Sequence, residues 1–142
     1  MEVIDFFDSV SHKILSDGYF HPEIPKYLKD LERNVISGYI GKSHGEVKIN
    51  PAFFRANKEL SLEIFPQLVE NIRNMRELNF KIETGDYVLR IPGYSRAGGA
   101  SIYKGEKPAY FASGNYGYLG NNAKTSYDAG QKFVKLVDAE NC

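Results

Sequence analysis

The stretch from Arg90 to Ser101 combines residue types that can bind a small anion. Its glycine pair can expose consecutive backbone N–H groups as an anion-binding nest, and its two arginines supply bidentate donors. A phosphate or a carboxylate would fit such a loop, so we predict a ligand-binding site here. The alternative is a wide loop between two strands whose glycines only supply positive φ angles. The candidate ligand-binding residues are Arg90, Tyr94, Ser95, Arg96, Gly98, Gly99 and Ser101.

A histidine and a glutamate in a predicted turn, His44 and Glu46, form a second group that could do chemistry. Such a turn can direct an imidazole and a carboxylate into one cleft for general acid–base work. With Arg90 and Arg96 to hold a phosphate, they would be the catalytic residues of a metal-independent, ribonuclease-like enzyme acting on a nucleotide or RNA phosphate. Turn residues between two strands are also commonly polar without any catalytic role.

The segment Tyr110-Phe-Ala-Ser, with Tyr127 farther along the chain, is similar to the central segment of the poly-ADP-ribosyl and diphtheria-like transferases. That resemblance implies a nicotinamide stacked on tyrosines, and it adds an ADP-ribosyltransferase-like activity to the enzymatic alternative. It covers only this short segment. Glu140 is the single counterpart of the family's glutamate, and no equivalent of its His-Gly-Thr motif precedes the segment.

Glycine and tyrosine are concentrated between Gly85 and Gly130, which holds nine of the 13 glycines and seven of the 10 tyrosines. Glycine lets the backbone approach a ligand closely, and tyrosine offers a rigid apolar ring with a polar tip, so this composition suits recognition. Tyr116 and Tyr118 are candidate anchors for a protein partner, because tyrosine is enriched in binding hot spots. Alternatively, one of these two tyrosines covers the edge of the core and the other is solvated.

Asp5, Asp8 and His12 fall at positions i, i+3 and i+7 of a predicted helix, which would place two carboxylates and an imidazole on one face. Amphipathic helices carry such residues on their solvated face without binding a metal, and we adopt that interpretation. The single cysteine, Cys142, can form neither an intramolecular disulfide nor a cysteine zinc site. We therefore expect no metal and no cofactor.

The charge balance excludes several classes of partner. The 18 basic and 18 acidic side chains give a formal net charge of zero. No overall field then draws the chain to nucleic acid or to an anionic membrane, so neither is expected as a partner. A charge this close to zero favours self-association, which makes a homo-oligomer an expectation. With no secretory signal and no long apolar run, the chain is predicted to be cytoplasmic.

Apolar residues at steps of three and four predict two helices near the N-terminus. The first spans Glu2 to Ser16 and is ended by Gly18. The second is short, with Pro22 or Pro25 in its first turn. Its apolar positions are Ile24, Leu28 and Leu31.

Two further helices are predicted by the same spacing, one central and one C-terminal. The central pattern covers Ser61 to Glu77, and its regular part is expected to start near Pro66 because an interior proline costs about 3 kcal/mol. The C-terminal helix is expected from about Ser126 to Val137, after a capping box that begins at Thr125. The stretch from Pro51 to Lys58 is left open between a helical turn and a loop.

Alternating and β-branched residues predict strands in the rest of the chain. Two strands lie between Val35 and Ile49, joined by a turn near residues 41–45. Two hairpins follow residue 78, one turning at Gly85 and the other at Gly105. These elements predict a single α+β domain over residues 1–142, with a helical N-terminal half and a Tyr/Gly-rich β half from about residue 78.

The sheet of this domain is expected to be mostly antiparallel and to run from Val35 to Ala112, packed against the N-terminal, central and C-terminal helices. No catalytic group is assembled by spacing alone, which favours a non-enzymatic function. We expect a binding or accessory protein of a bacterial or phage type that recognises a small anionic ligand or a protein partner through its Tyr/Gly-rich loops. The alternatives are the metal-independent enzyme and a structural subunit of an oligomer.

Overall fold

Five helices and six strands lie in the parts of the chain that the computed structural model describes, which are residues 3–16, 18, 21–33, 35–40, 44–75, 79–92, 100–111 and 119–140. Side chains are described over 7–16, 21–33, 45–73, 79–92, 100–110 and 126–139. The helices are α1 (Val3–Ser16), α2 (Ile24–Arg33), α3 (Pro51–Ala56), α4 (Lys58–Met75) and α5 (Leu119–Glu140). The strands are β1 (Val35–Ile40), β2 (His44–Ile49), β3 (Asn79–Thr84), β4 (Tyr87–Ile91), β5 (Ser101–Lys104) and β6 (Lys107–Phe111).

The six strands form one sheet in which each strand lies beside its neighbours in sequence, in the order β1 to β6. Adjacent strands are antiparallel except for β2 and β3, which run parallel. Parallel neighbours need a long crossover, and α3 and α4 provide it between these two strands. The predicted α+β fold with a mostly antiparallel sheet is confirmed, and the parallel β2/β3 pair is the feature that the sequence pattern did not indicate.

Helices cover one face of this sheet, and the alternation of side chains along each strand shows which face it is. The buried side chains of the central strands are Val47, Ile49, Phe80, Ile82, Leu89, Ile91 and Ile102. The residues between them are exposed or half-buried, namely Glu46, Lys48, Lys81, Glu83, Val88, Arg90, Ser101 and Tyr103. We call this second surface the open face, since no described helix or strand buries it.

Helices α4 and α5 pack against each other in antiparallel directions and carry much of the aromatic core. Phe65 of α4 stacks on Phe133 of α5 with 5.9 Å between ring centroids. Lys58 at the start of α4 forms an ion pair of 2.9 Å with Asp138 near the end of α5. Phe54 of α3 meets both rings edge-on, at 5.0 Å from Phe65 and 6.1 Å from Phe133. Each aromatic pair of this kind stabilises the fold by about 0.5–1.5 kcal/mol, in addition to the contribution from burying the apolar surface of the rings.

The prediction that the central helix starts near Pro66 is wrong, because α4 begins at Lys58 and continues through the proline. An interior proline removes one helical hydrogen bond and costs about 3 kcal/mol. Pro66 is buried, and its Cα lies where α5 passes close to α4, beside Gly130. Burial of the apolar side chains on both sides of the proline therefore outweighs its backbone penalty.

The C-terminal helix is longer than predicted at both ends. It begins at Leu119 rather than near Ser126, so a capping box at Thr125 is wrong. A capping hydroxyl accepts a hydrogen bond from a backbone N–H in the first turn. The predicted cap, Thr125, lies inside α5, and the hydroxyl of the next residue, Ser126, is buried without a hydrogen-bond partner. Packing of this part of α5 against α4 overrides the local turn signal.

Both predicted hairpins are confirmed. Strands β3 and β4 are joined by Gly85-Asp86, and β5 and β6 by Gly105-Glu106. Gly85 and Gly105 have φ angles of +60° and +63°. Positive φ at the first central residue is what a type II′ hairpin turn requires. The β1/β2 pair is also as predicted, although the turn residues 41–43 lie outside the described part of the chain.

The two N-terminal helices agree with the prediction. Gly18 follows α1 with a φ of +88°, and its N–H donates to the Leu15 carbonyl at 3.3 Å. Pro25 is the second residue of α2, where the missing N–H of proline has no helical acceptor to lose. Helix α1 packs mainly on α4 and α2 and contacts the sheet chiefly at β1. The stretch from Pro51, for which the sequence did not decide between a helical turn and a loop, forms the short helix α3.

Replacing Gly130 by alanine tests the close approach of α4 and α5. A Cβ atom at this position would lie 2.9 Å from the Cα of Pro66 and 2.9 Å from Cγ2 of Val69. Because one of these neighbours is backbone, the helices must move apart. We expect Gly130→Ala to lower the free energy of unfolding by about 1–3 kcal/mol in urea denaturation.

Lys132→Ala, an exposed change in the same helix, is the control and should stay within about 0.5 kcal/mol of the parent protein. Helix propensity alone predicts that Gly130→Ala stabilises the protein by about 1 kcal/mol. Stabilisation of that size would contradict the close packing.

A buried hydrogen bond between α2 and α4 gives a second prediction. The Tyr27 hydroxyl donates to Ser61 Oγ at 3.0 Å, and both residues are buried. Tyr27→Phe and Ser61→Ala should each destabilise the protein by about 1–2 kcal/mol, because each leaves a buried polar group without its partner. The double variant should cost less than the sum, which chemical unfolding of the four proteins measures. Strict additivity would count against the bond.

Alkaline pH gives an independent readout of the same residue. Burial raises the pKa of the Tyr27 phenol, and the hydrogen bond to Ser61 opposes this rise only in part. The native state therefore keeps the phenol neutral. Its contribution to stability is complete below the pKa of the unfolded chain and is lost as the pH rises beyond it. Tyr27→Phe should make the fall in stability at alkaline pH shallower.

Candidate functional site

A cleft lies on the open face where several strands begin or end together, and its volume is about 410 Å³. It is lined by the start of β2 (Gly45, Glu46), the start of β3 (Asn79, Phe80, Lys81), the end of β4 with the residue that follows (Arg90, Ile91, Pro92) and the start of β5 (Ser101). We call it the sheet-end cleft. Ligand pockets commonly measure about 300–1,000 Å³, so it can hold a small organic molecule.

The register of the sheet places four polar residues of the cleft in one row. Glu46 pairs with Lys81, Lys81 with Arg90, and Arg90 with Ser101. Paired positions share a face because side chains alternate along each strand, and this row belongs to the open face. Residues up to 55 positions apart in sequence, from Glu46 to Ser101, thus contribute to one site.

The floor of the cleft is formed by the adjacent row of residues. Gly45 pairs with Phe80, and Phe80 pairs with Ile91. The side chains of Phe80 and Ile91 are buried in the core, so these two residues present mainly their backbone to the cleft. Gly45 lies in the same row and likewise presents its backbone to the cleft. A ligand would therefore rest on backbone, between polar side chains that rise from the open face.

Lys81 is held at the centre of the polar row by two carboxylates. Its Nζ atom lies 2.9 Å from Glu46 Oε1 and 3.1 Å from Glu83 Oε1. The hydrogen bond to Glu46, and after it the bond to Glu83, raises the pKa of Lys81 above its ordinary value, and slight burial opposes this. Lys48 also approaches Glu83, at 3.8 Å. The charge of Lys81 is therefore balanced by the protein itself.

Arg90 is in a different electrostatic position. Its guanidinium carbon lies 4.5 Å from the centroid of the Tyr103 ring, over the face of the aromatic ring. The arginine is exposed, and among the described side chains none of the ion pairs involves it. A guanidinium stacked by its face keeps its N–H edge available for an acceptor. Arg90 is thus the cation of the cleft best placed to receive an anion.

The structure brings together part of each predicted site. Arg90 and Ser101 of the ligand-binding group line the cleft beside Glu46 of the catalytic group. His44 is the first residue of β2, and its α-carbon pairs with that of Asn79, although its side chain is outside the described part. Residues from the predicted ligand-binding group and from the predicted catalytic group therefore lie at the same end of the sheet.

The remaining predicted site residues cannot be placed, because they lie outside the described residues. For the ligand-binding and catalytic groups these are Tyr94, Ser95, Arg96, Gly98 and Gly99, and for the protein-partner surface they are Tyr116 and Tyr118. Their assigned roles stay predictions.

Sequence reasoning missed three residues of the site, namely Asn79, Lys81 and Tyr103. The alternation Asn79-Phe80-Lys81-Ile82-Glu83 already indicates that the polar residues of β3 share one face. The sequence does not show which strands flank β3, since the parallel partner β2 comes from across a helical crossover. The contact of Lys81 with Glu46 follows only from that pairing.

The tyrosines of the Tyr/Gly-rich segment do not all face solvent, as a recognition surface would require. Tyr87 is only 7% exposed and belongs to the core. Tyr103 lies on the open face and is half-buried. Tyr110 is half-buried near α5, and burial, with a smaller effect of Asp128, raises the pKa of its phenol. Of these three tyrosines, Tyr103 is the one that lies on the open face.

His21 is a histidine with both ring nitrogens engaged. Its Nδ1 accepts a hydrogen bond from the Glu23 backbone N–H at 3.1 Å, so Nε2 carries the proton and donates to Glu63 at 2.7 Å. Neither nitrogen is left to act as a base. This contact ties the segment before α2 to helix α4, which is a structural role.

The predicted solvated face of α1 is seen at two of its three positions. Asp8 and His12 are exposed, while the side chain of Asp5 is outside the described residues. In the part of the chain whose side chains are described, no three His, Cys, Asp or Glu residues are grouped closely enough to hold a metal ion.

The fold and the cleft together define an α+β protein whose sheet carries helices on one face and a charged cleft on the other, over the residues described. Comparison of the chain with models of protein families, with curated proteins and with solved structures finds no match in any of the three. None of the described helices combines the length and the apolar character needed to cross a bilayer.

The two carboxylates around Lys81 lead to a prediction on its proton affinity. Because hydrogen bonds to Glu46 and then to Glu83 are the largest causes of the raised pKa, Glu46→Gln and Glu83→Gln should each lower the pKa of Lys81. With a raised native pKa, the ion pairs stabilise the fold below the pKa of the unfolded lysine and lose that effect as the pH rises. The pKa of Lys81 can be measured in the parent protein and in both variants from its ¹³Cε chemical shift, followed by NMR through an alkaline titration. An equal pKa of Lys81 in the parent protein and in both variants would show that the two carboxylates do not raise it.

Proposed function

We propose that this protein binds a small anionic ligand in the sheet-end cleft, with Arg90 as the residue that holds the anion. The observation that carries this proposal is the position of Arg90. It lines the cleft, it is exposed, and no described carboxylate pairs with it. Arginine donates two parallel hydrogen bonds to a carboxylate or phosphate, a geometry that lysine cannot reproduce.

The contact with Tyr103 supports this role because it orients the guanidinium in advance. The guanidinium carbon lies 4.5 Å from the ring centroid, and this contact limits the positions that the Arg90 side chain adopts. A long side chain that is already ordered loses less conformational entropy when a ligand binds. The aromatic ring thus favours binding without having to touch the ligand.

Two further polar residues of the cleft can contact a ligand held by Arg90. Ser101 is the cross-strand partner of Arg90, and its hydroxyl can donate to a second oxygen of the same anion. Asn79 lies two residues before Lys81 on the same strand and offers an amide that both donates and accepts. The cleft can therefore bind an anionic group at one end and an uncharged polar group at the other.

Chain connectivity brings the rest of the predicted ligand-binding group into this proposal. Residues 93–99, which include Arg96, run from Pro92 to Ala100, and both of these residues lie at or next to the lining of the cleft. Because these residues join two positions beside the cleft, their predicted roles in ligand binding are kept with this proposal. The anion-binding nest at Gly98 and Gly99 remains part of this proposal.

A metal-independent enzyme acting on a nucleotide or RNA phosphate is the second candidate, and one observation favours it. The register places His44, Glu46 and Arg90 at the same end of the sheet. His44 and Arg90 are two strands and two residues apart, or about 12 Å between α-carbons at standard spacing. Glu46, however, is bound to Lys81 at 2.9 Å, and an ion-paired carboxylate is a weaker base. We therefore place binding before catalysis.

The cellular setting belongs to the same proposal. A single cysteine among 142 residues fits a reducing compartment, in which a cytoplasmic binding protein would act. The zero net charge supports a small-molecule ligand, because it provides no general attraction for a polyanion such as nucleic acid. A protein partner at Tyr116 and Tyr118, or a second copy of the chain, remains a separate prediction.

Substitution of Arg90 tests the proposed function directly. The probes are phenyl sulfate and phenyl phosphate, followed by the shift in melting temperature and by calorimetric titration. A ligand at 100 times its dissociation constant adds about 2.7 kcal/mol of stability, which is readily measured. Arg90→Ala should remove this stabilisation, and Arg90→Lys should restore only part of it, since the charge returns without the bidentate geometry.

Arg33→Ala is the matched control, because Arg33 is an exposed arginine on α2, away from the lining of the cleft, with an ion pair of 3.8 Å to Asp30. It should bind both probes as the parent protein does. If neither probe binds the parent protein, or if Arg90→Ala binds them unchanged, the proposed function is wrong. Turnover of a nucleotide or RNA that is lost in His44→Ala would favour the enzyme instead.

A further inference from the structure

We infer that the sheet-end cleft selects organic ligands with a single negative charge, and that Glu46 is the residue that rejects a second one. The inference rests on the proposed function and specifies the ligand class of the same site. It follows from the way the charges of the described residues are paired across the open face.

The first step is the charge available to a ligand. Lys81 lies between Glu46 and Glu83, with contacts of 2.9 Å and 3.1 Å, so its positive charge is already balanced by two negative ones. Arg90 has an aromatic ring beneath it rather than a carboxylate. Among the described residues, the cleft thus offers one cation for one anionic group, although two cations line it.

The second step is the position of Glu46. It belongs to the same row as Arg90, two strands away, which is about 10 Å between α-carbons at standard strand spacing. That distance is comparable to the screening length of about 8 Å at physiological salt, and any group bound between the two residues is closer. A second negative charge on the ligand would therefore be repelled by the Glu46 carboxylate.

The third step is that Glu46 cannot easily turn away from the cleft. Its Oε1 atom is held by the ammonium group of Lys81, and Lys81 is itself held by Glu83 on the far side. The chain of contacts fixes the carboxylate beside the cleft in the absence of a ligand. Lys81 then acts as a positioning residue for Glu46 rather than as a second anion-binding group.

The size of the cleft adds that the ligand is more than a bare ion. A volume of about 410 Å³ falls in the range of pockets that hold small organic molecules. With a backbone floor and one available cation, the body of the ligand must be uncharged. The class that fits is an organic carboxylate or sulfate ester, or another monoanion with a neutral body, rather than inorganic phosphate or a diphosphate.

Two ligands of nearly the same shape separate charge from size. Phenyl sulfate carries one negative charge, whereas phenyl phosphate carries close to two when the pH is well above its second pKa of about 6. Calorimetric titration at low salt should show that the parent protein binds phenyl phosphate no more tightly than phenyl sulfate. A site built for phosphate would prefer the dianion several-fold.

The variant Glu46→Gln removes the repelling charge while keeping the size of the side chain. It should improve the affinity for phenyl phosphate by about three- to tenfold more than the affinity for phenyl sulfate. Glu83→Gln is the matched control, because it removes the other carboxylate of Lys81 but does not line the cleft. It should change both affinities equally, and by less than Glu46→Gln does.

A measurement on the unaltered protein avoids any effect of the substitution on folding. Raising the pH through the second ionisation of phenyl phosphate adds one negative charge to this ligand. We expect its affinity for the protein not to increase. Phenyl sulfate, whose charge does not change, serves as the reference at each pH. Tighter binding of the dianion, or equal gains for both probes in Glu46→Gln, would overturn the inference and leave the proposed function standing. Loss of binding by both probes in the parent protein would remove both.

Discussion

The close approach of α4 and α5 at Gly130 is the contact on which the rest of the structure depends. Because Gly130 has no Cβ atom, the backbone of Pro66 can approach it closely; a Cβ atom at this position would lie 2.9 Å from the Cα of Pro66. The rings of Phe65 and Phe133 then stack, and the two helices form one layer over the sheet. Because this layer lies on a single face, strands β2 to β5 each bury one of their two sets of side chains and leave the other exposed or half-buried.

This one-sided packing explains why charged residues can gather on the open face. Lys81, Glu46 and Glu83 would each be costly to bury singly, but on a solvated face they form a short network of ion pairs. Such exposed pairs contribute little to overall stability. Their effect is to hold side chains in place next to the cleft. Arg90 is held differently, by the ring of Tyr103, and so keeps its hydrogen-bond donors for a ligand.

Local sequence signals predicted the elements whose stability is mainly local. Helix α1 with its terminal Gly18, and the turns at Gly85 and Gly105, agree with expectation because positive φ at glycine is a property of the residue itself. The signals misled where tertiary packing reverses a local preference. Pro66 lies inside α4, and Thr125, the predicted cap, lies inside α5.

The candidate site shows the same division. The amino-acid sequence by itself determined that Arg90 and Ser101 flank a glycine-rich connection between two strands. It assigned His44 and Glu46 to a turn, whereas both residues belong to strand β2. It also determined, by alternation, that Asn79, Lys81 and Glu83 share a face. Only the tertiary structure decided that β2 lies parallel to β3 and so brings Glu46 beside Lys81, in the same row as Arg90. Strand order and register arise from long-range burial of apolar side chains, which no short stretch of sequence contains.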